Sequence, residues 1–288
     1  MPISNREASG RFQTICIVGV GLIGGSLAAA VKQRDLAARI IGVGRDKQRL
    51  ESARKAGLID EGFVDLAEAA AESDLIIFCT PVDKIIDGLR QAAKSCRPGT
   101  LLTDGGSTKG AICAAASGIF PEDVHFVGAH PLAGSEKQGF ENATADLYVD
   151  RVCVVTPHDG CCPAAVVRVS EFWRQVGSDV VEMSPQEHDE ILAETSHVPH
   201  LIASALAATL HDENGPFAAT GFRDTTRIAA GDESLWSAIF LGNKQAMLTG
   251  LDRFESQLRA LRTAIEREDT QALTEQLRSA KEKREALE

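Results

Sequence analysis

The chain is predicted to fold as an α/β protein: a doubly wound, mostly parallel sheet followed by an all-helical half. Three observations predict it. Short apolar runs alternate with amphipathic stretches from Phe12 to Met183. A glycine-rich turn, Gly19-Val20-Gly21-Leu22-Ile23-Gly24, joins the first apolar run to the first amphipathic stretch. After Ser184 no strand-like alternation remains, and apolar residues recur at helical spacing.

Taken in order, residues 12–19 read as a buried strand and 22–34 as a helix, then 39–43 as a strand and 47–56 as a helix. Residues 75–80 and 83–95 repeat the pattern, as do 100–104 and 109–116. Two further strands are expected at 125–129 and 151–156, then a helix at 164–176 and a last strand at 179–183. Strands that alternate with helices imply a parallel sheet covered on both faces. Beyond it, 185–211, 236–267 and 270–287 carry helical periodicity, and the charged tail 278–288 reads as a solvated helix end. The boundary is placed near residue 184, giving domains 1–184 and 185–288.

The bulk numbers narrow the function classes. A chain of 288 residues, 44% hydrophobic and 25% charged, holds about two ordinary globular domains. A net charge of -11 argues against a general binder of nucleic acid or membrane surfaces. Any anionic ligand must therefore meet locally concentrated positive charge, for which Arg223 and Arg227 are candidates. The seven cysteines are odd in number and form no C-x-x-C pair, so they are read as reduced thiols. The first eleven residues are polar, without an apolar signal core, and no run approaches the ~18 apolar residues of a membrane span. A cytoplasmic protein is expected. No His, Cys, Asp and Glu cluster has metal-ligand spacing, so no metal is expected.

The turn at 19–24 matches G-x-G-x-x-G, in the strand-to-helix context that gives this pattern meaning. Gly19 permits the tight turn, Gly21 lets a pyrophosphate approach the backbone, and Gly24 lets helix and strand pack closely. Leu22 and Ile23 open a helix whose free N–H groups and partial positive charge suit phosphate. The first domain is thus expected to be a Rossmann-type unit binding NAD or NADP. The second strand ends Ile40-Ile41-Gly42-Val43-Gly44-Arg45-Asp46. Glycine at the position where an acid usually binds the ribose, with Arg45 next, leans toward NADP; Asp46, two residues on, is the argument for NAD.

Three segments do not look like scaffold: Asp104-Gly105-Gly106-Ser107-Thr108-Lys109, His130-Pro131-Leu132-Ala133-Gly134-Ser135-Glu136-Lys137, and Thr195-Ser196-His197-Val198-Pro199-His200. The first two follow strands, where an open α/β sheet places its ligands. Together with the Gly-rich turn, Thr80-Pro81-Val82 and Gly221-Phe222-Arg223-Asp224-Thr225-Thr226-Arg227-Ile228-Ala229, they resemble the prephenate/arogenate (cyclohexadienyl) dehydrogenase family, from about Phe12 to about Leu261. The resemblance implies a Rossmann domain, a helical dimerisation domain, and NAD(P)-dependent oxidative decarboxylation of a cyclohexadienol in tyrosine biosynthesis, with a homodimer as the working form. It implies His130 as the base for the ring hydroxyl, a role that suits an imidazole near neutrality. Ser107 would bond hydroxyl and imidazole, or cap the following helix. Arg227 would clamp a substrate carboxylate bidentately, with Glu136 and Asp224 either orienting it or serving as simple capping or loop acids. His200 would meet the side-chain carboxylate or ketone. Ser135 and Ser196 lie in the same motifs as substrate contacts, and Thr80 and Pro81 flank the cofactor.

His197 is expected to serve helix packing, Trp236, Phe240 and Phe254 core or interface, and His125, His158, His188 and His211 structure. The chain's end soon after the helical half carries the expectation of no appended regulatory domain. Two rival readings stay open. A β-hydroxyacid-type dehydrogenase would rely on a lysine in the helical half, here Lys244, and leave His130 unexplained. A non-catalytic dinucleotide sensor would leave Ser107, His130, His200 and Arg227 idle.

Overall fold

The computed structural model describes residues 11–134 and 137–287. Chain order begins β1 (Phe12–Val18), α1 (Leu22–Gln33), β2 (Ala37–Val43), α2 (Lys47–Lys55), β3 (Glu61–Phe63) and α3 (Leu66–Ala71). There follow β4 (Leu75–Phe78), α4 (Val82–Ala92), β5 (Leu101–Asp104), α5 (Gly110–Ala116), β6 (His125–Pro131), β7 (Val152–Thr156), α6 (Pro163–Gln175) and β8 (Asp179–Glu182). The helical half comprises α7 (Pro185–Leu192), α8 (Val198–Ala208), α9 (Thr220–Thr226), α10 (Glu233–Gly242), α11 (Lys244–Glu266) and α12 (Thr270–Glu285). No helix among the described residues is long and apolar enough to cross a membrane.

The strands form one sheet in the order β3-β2-β1-β4-β5-β6-β7-β8. Its central strands are unbroken apolar runs because both faces are covered. Successive side chains point to opposite faces, so Ile15, Ile17, Leu75 and Ile77 join one core with Leu27, Val31 and Trp173. Cys16, Val18, Ile76 and Phe78 join the other with Ile85, Leu89 and Leu102. The chain turns one way from β1 through β2 to β3 and the other way from β4 outward. The carboxyl ends of β1 and β4 therefore flank the switch point where such sheets hold ligands.

The structure departs from expectation at four places. β6 runs on to Pro131, because it pairs antiparallel with β7, His130 opposite Val154 and Pro131 opposite Cys153. The sheet is thus parallel except at that pair, with β8 parallel to β7. β3 and α3, of three and six residues, are too short to be seen beforehand. The stretch 185–211 is not one helix: α7 and α8 are separated by a π-helical turn, Ala193–His197. Pro199, which lacks an N–H, sits in the first turn of α8, where that loss costs least. The stretch 236–267 breaks at Asn243 (φ −116°, ψ 33°) between α10 and α11. The start of α7 was legible, with Ser184 accepting a hydrogen bond from Glu187 N at 3.1 Å and Pro185 following it.

Candidate active site

The Gly-rich turn shows what each glycine does. Gly19 has φ +95°, and a methyl carbon there would lie 2.9 Å from the Cys79 carbonyl oxygen at the end of β4. A methyl on Gly24 would lie 2.1 Å from the Gly19 carbonyl oxygen. On Gly21 it would meet nothing within 4 Å, so the side where a pyrophosphate would approach is open. Gly21 caps α1 without a side-chain acceptor, which leaves the first N–H groups of Leu22, Ile23 and Gly24 to a ligand. Thr80, beside this turn, has a buried hydroxyl oxygen without a hydrogen-bond partner among the described residues. Pro81 is exposed and caps α4. Open space, free N–H groups and an orphaned hydroxyl together fit a dinucleotide.

Asp46 is engaged in capping α2: its Oδ1 accepts from Gln48 N at 2.8 Å and Arg49 N at 3.2 Å. Arg45 beside it is exposed and makes no ion pair among the described residues.

The ends of β5 and β6 adjoin the turn. A methyl on Gly105 would lie 3.6 Å from Pro131 and 3.9 Å from Ile23, and one on Gly134 would lie 3.7 Å from Ile23. Asp104, at the end of β5, accepts from Ala129 N at 3.1 Å and from Gly106 N at 2.9 Å. It is paired with Lys109, whose Nζ also donates to Ala129 O at 2.9 Å. Both side chains are fully buried; isolated, either would be costly, and here each is paired and hydrogen-bonded. This lock fixes the β5–β6 seam behind His130.

His130 is 8% exposed. Its Nδ1 lies 2.9 Å from Nε2 of His188 on α7, and His188 Nδ1 lies 2.8 Å from Asp189 Oδ1. Asp189 also accepts from Lys109 N and Gly110 N, both at 2.8 Å. Burial first, then His188, Lys109 and His197, hold the His130 imidazole well below its ordinary 6.5. Burial also lowers His188, against the opposing hydrogen bond to Asp189. His188 was expected to be merely structural; it is instead bonded directly to His130. Asp189 and Asn243 were not singled out in the sequence, and Lys109 only as the last residue of a segment without a role of its own; the adjacent His188-Asp189 pair near a helix start is the signal that could have pointed there.

Ser107 is half-buried between β5 and α5 and makes no hydrogen bond among the described residues. It does not cap α5 as expected. Lys109 is the cap residue, and the carboxylate of Asp189 takes the N–H groups that a Ser hydroxyl would have taken.

His200 is buried, and neither ring nitrogen makes a hydrogen bond of ordinary geometry among the described residues, although the backbone of Ile228 lies close to the ring. Its ring stacks on Trp236, with centroids 3.6 Å apart and planes at 22°, and Phe240 meets it edge-on at 5.9 Å. Trp236 and Phe240, expected as core or interface, thus wall the His200 ring. A methyl on Gly231 would lie 3.0 Å from His200 Nε2, so the turn Arg227–Ala230 comes close to this ring. Arg227 itself is exposed at the start of that turn and makes no ion pair among the described residues. Asp224 is exposed and makes no ion pair among the described residues. Arg223 donates from Nε to Ala218 O at 2.9 Å. Ser196 is half-buried in the π-helical turn. Ser135 and Glu136 lie outside the described residues. His197 is buried beside Asn243, whose Nδ2 lies 3.2 Å from its Nδ1 and donates to Asp189 O at 2.7 Å. Burial pushes His197 down to about 4.

Comparison with known proteins identifies both halves. Residues 27–182 match the family model of the prephenate dehydrogenase nucleotide-binding domain, and 184–279 that of the prephenate dehydrogenase dimerization domain. The chain is 36% identical over 281 residues to a prephenate dehydrogenase of Bacillus subtilis, covering 95% of this chain and 76% of that one. It is 33% identical to a cyclohexadienyl dehydrogenase of Zymomonas mobilis, with 96% of each chain covered. Among solved structures, the prephenate dehydrogenase of A. aeolicus in complex with hydroxyphenyl propionate and NAD+ superposes with a TM-score of 0.90 at 32% identity, over 96% of this chain and 98% of that one.

Proposed function

Because the chain belongs to the prephenate dehydrogenase family, we propose that it oxidatively decarboxylates prephenate, with arogenate as a second substrate, in tyrosine biosynthesis. The observation that carries this reading is the placement of His130: a buried imidazole at the end of β6, held through Nδ1, on the same edge of the sheet as the Gly-rich cradle that follows β1, with β4 and β5 between them.

The substrate ring bears a hydroxyl at one end and a carboxylate at the other. His130 takes the hydroxyl proton on Nε2, the ring nitrogen not used in its bond to His188, as the C–H hydride leaves the same carbon and the carboxylate departs as carbon dioxide. General-base help of this kind contributes about 100- to 10,000-fold. A bound nicotinamide dinucleotide supplies the hydride acceptor. Gly19, Gly21, Leu22, Ile23 and Gly24 hold its pyrophosphate, and Thr80 and Pro81 border it. Ser107 meets the ring hydroxyl once substrate is in place. Arg227 takes a substrate carboxylate, and His200, stacked on Trp236, offers a ring nitrogen to the side chain. Ser196 and Asp224 are further substrate contacts, and the motif residues Ser135 and Glu136 lie outside the described residues.

The cofactor is NAD or NADP, with a lean to NADP. The capping role of Asp46 and the exposure of Arg45, which makes no ion pair among the described residues, support that lean, since a cation beside the end of the second strand suits a 2′-phosphate. The domains divide near Ser184, a reading supported by β8 ending at Glu182 and α7 starting at Pro185. The working form is a homodimer joined through the helical half, where Phe217, Leu241, Leu258, Ile265 and Leu277 are exposed. The seven unpaired cysteines suit a cytoplasmic location.

The test is a steady-state assay with prephenate and arogenate, each with NAD+ and NADP+, following cofactor reduction and the aromatic product. Turnover with prephenate is expected, and His130→Asn is expected to lower kcat about 100- to 10,000-fold with cofactor affinity unchanged. Cofactor binding without turnover of either substrate would sink the proposal. Near-normal turnover in His130→Asn would sink the role of that residue.

A further inference from the structure

A neutral imidazole carries one hydrogen on either nitrogen, and only the bare nitrogen can act as a base. What decides the placement at His130 lies outside its own strand. Asp189 receives three donors at 2.8 Å: Lys109 N and His188 Nδ1 on Oδ1, and Gly110 N on Oδ2. Two of these are backbone N–H groups that cannot accept, which fits an ionised carboxylate. Beside it, His188 must carry its hydrogen on Nδ1, because a bare Nδ1 would set a lone pair against a carboxylate oxygen in a buried site. His188 is fully buried, and burial favours its neutral form. Its Nε2 is then bare and accepts, so the shared hydrogen of the 2.9 Å contact belongs to His130 Nδ1.

We infer that His188 and Asp189 are positioning residues that fix His130 in the tautomer with hydrogen on Nδ1 and the lone pair on Nε2. The inference rests on the proposed function for its catalytic meaning, while the tautomer itself follows from the three-residue chain alone. The same chain serves the step after deprotonation: when His130 becomes an imidazolium, its Nδ1–H still has an acceptor in His188 Nε2, and the Asp189 carboxylate lies one ring further along. The charged and titratable groups around His130 are His188, Asp189 and His197 from the helical half and Lys109 and Asp104 from the β5–α5 segment. Lys109 is already neutralised by Asp104, so the carboxylate of Asp189 is the anion left to answer charge on the imidazoles.

Two readouts test this. The first needs neither a variant nor a substrate. Long-range proton–nitrogen NMR spectra of the histidine-labelled full chain distinguish the two tautomers, and His130 is expected to show a protonated Nδ1 and a bare Nε2 at neutral pH. A protonated Nε2 would overturn the inference. The second readout is kinetic. His188→Leu removes the acceptor and is expected to lower kcat about 100-fold with the Michaelis constants for substrate and cofactor within about twofold. His188→Gln keeps an amide oxygen able to accept from Nδ1–H and is expected to retain activity within about tenfold of the wild type. Equal impairment of the two variants, or a His188→Leu enzyme with near-normal kcat, would overturn the inference. A wild-type chain inert toward both substrates would count against the proposed function and leave the NMR test standing.

Discussion

Gly21 and Gly24 belong to one motif, yet the same substitution should damage the protein in two different ways. In Gly24→Ala the new methyl would lie 2.1 Å from the Gly19 carbonyl oxygen and 2.9 Å from Ile17 Cγ2. Ordinary contact begins near 3.4 Å, so α1 and the turn must separate by about 1.3 Å, the difference of 3.4 and 2.1. The neighbour is backbone and cannot swing aside, so the cost should reach the upper part of the usual ~1–3 kcal/mol for overpacking. At about 2–4 °C per kcal/mol for a chain of this size, the melting temperature should fall by roughly 5–12 °C. Cofactor affinity should fall at least about tenfold, or about 1.4 kcal/mol, because the N–H groups no longer aim at one point. In Gly21→Ala the methyl meets nothing, and φ −102° with ψ −148° lies at the edge of the extended region that alanine tolerates. Its melting temperature should stay within about 2 °C of the wild type, while cofactor affinity falls about tenfold or more because the methyl occupies the approach to the pyrophosphate. Thermal unfolding of the apoprotein and calorimetric titration with NAD+ and NADP+ measure both quantities. An unshifted melting temperature in Gly24→Ala would refute the packing argument, and unchanged affinity in Gly21→Ala would refute the assignment of the open side to the pyrophosphate.

Two further outcomes are expected. Arg227 is exposed and makes no ion pair among the described residues, so its bond to a substrate carboxylate lies between the ~1 kcal/mol of exposed pairs and the ~2–5 kcal/mol of buried ones. Arg227→Ala and Arg227→Lys should both raise the Michaelis constant about tenfold or more with a smaller change in kcat, since a lysine offers no bidentate fork; a Lys variant with wild-type kinetics would transfer the role to Arg223. Stability should also depend on pH through His197, which burial pushes from 6.5 to about 4. The unfolded chain takes up its proton first as pH falls, so this stability is complete above about pH 6.5 and is lost between about pH 6.5 and 4, a contribution of about 3 kcal/mol at ~1.36 kcal/mol per unit. Urea midpoints that are flat across this window in the wild type would contradict the burial of a neutral His197.

The order of sheet elements was legible because the central strands are apolar on both faces and end in glycine or proline. β3 escaped because it is an edge strand of three residues, Glu61-Gly62-Phe63, with two of them exposed. α3, Leu66–Ala71, is too short to develop a periodicity. His130 was legible as a candidate because its own neighbours announce it: a buried strand before, a proline and small residues after. His188 was not, since its meaning comes from a partner 58 residues away that only the packing of α7 against β6 supplies. The breaks at Ala193–His197 and Asn243 were hidden for a related reason. Helical periodicity runs across both, and what interrupts it is the inward turn of Asn243 to serve Asp189 and His197, a tertiary demand with no local signature.

The capping of α5 by a carboxylate from α7 has a consequence for how the two halves can move. Pulling this seam apart would strip two N–H groups and one carboxylate of their partners in a single event, and it would release His130 from its support at the same time. The contact therefore behaves as an interlock: the molecule is armed when it is shut and disarmed when this joint parts.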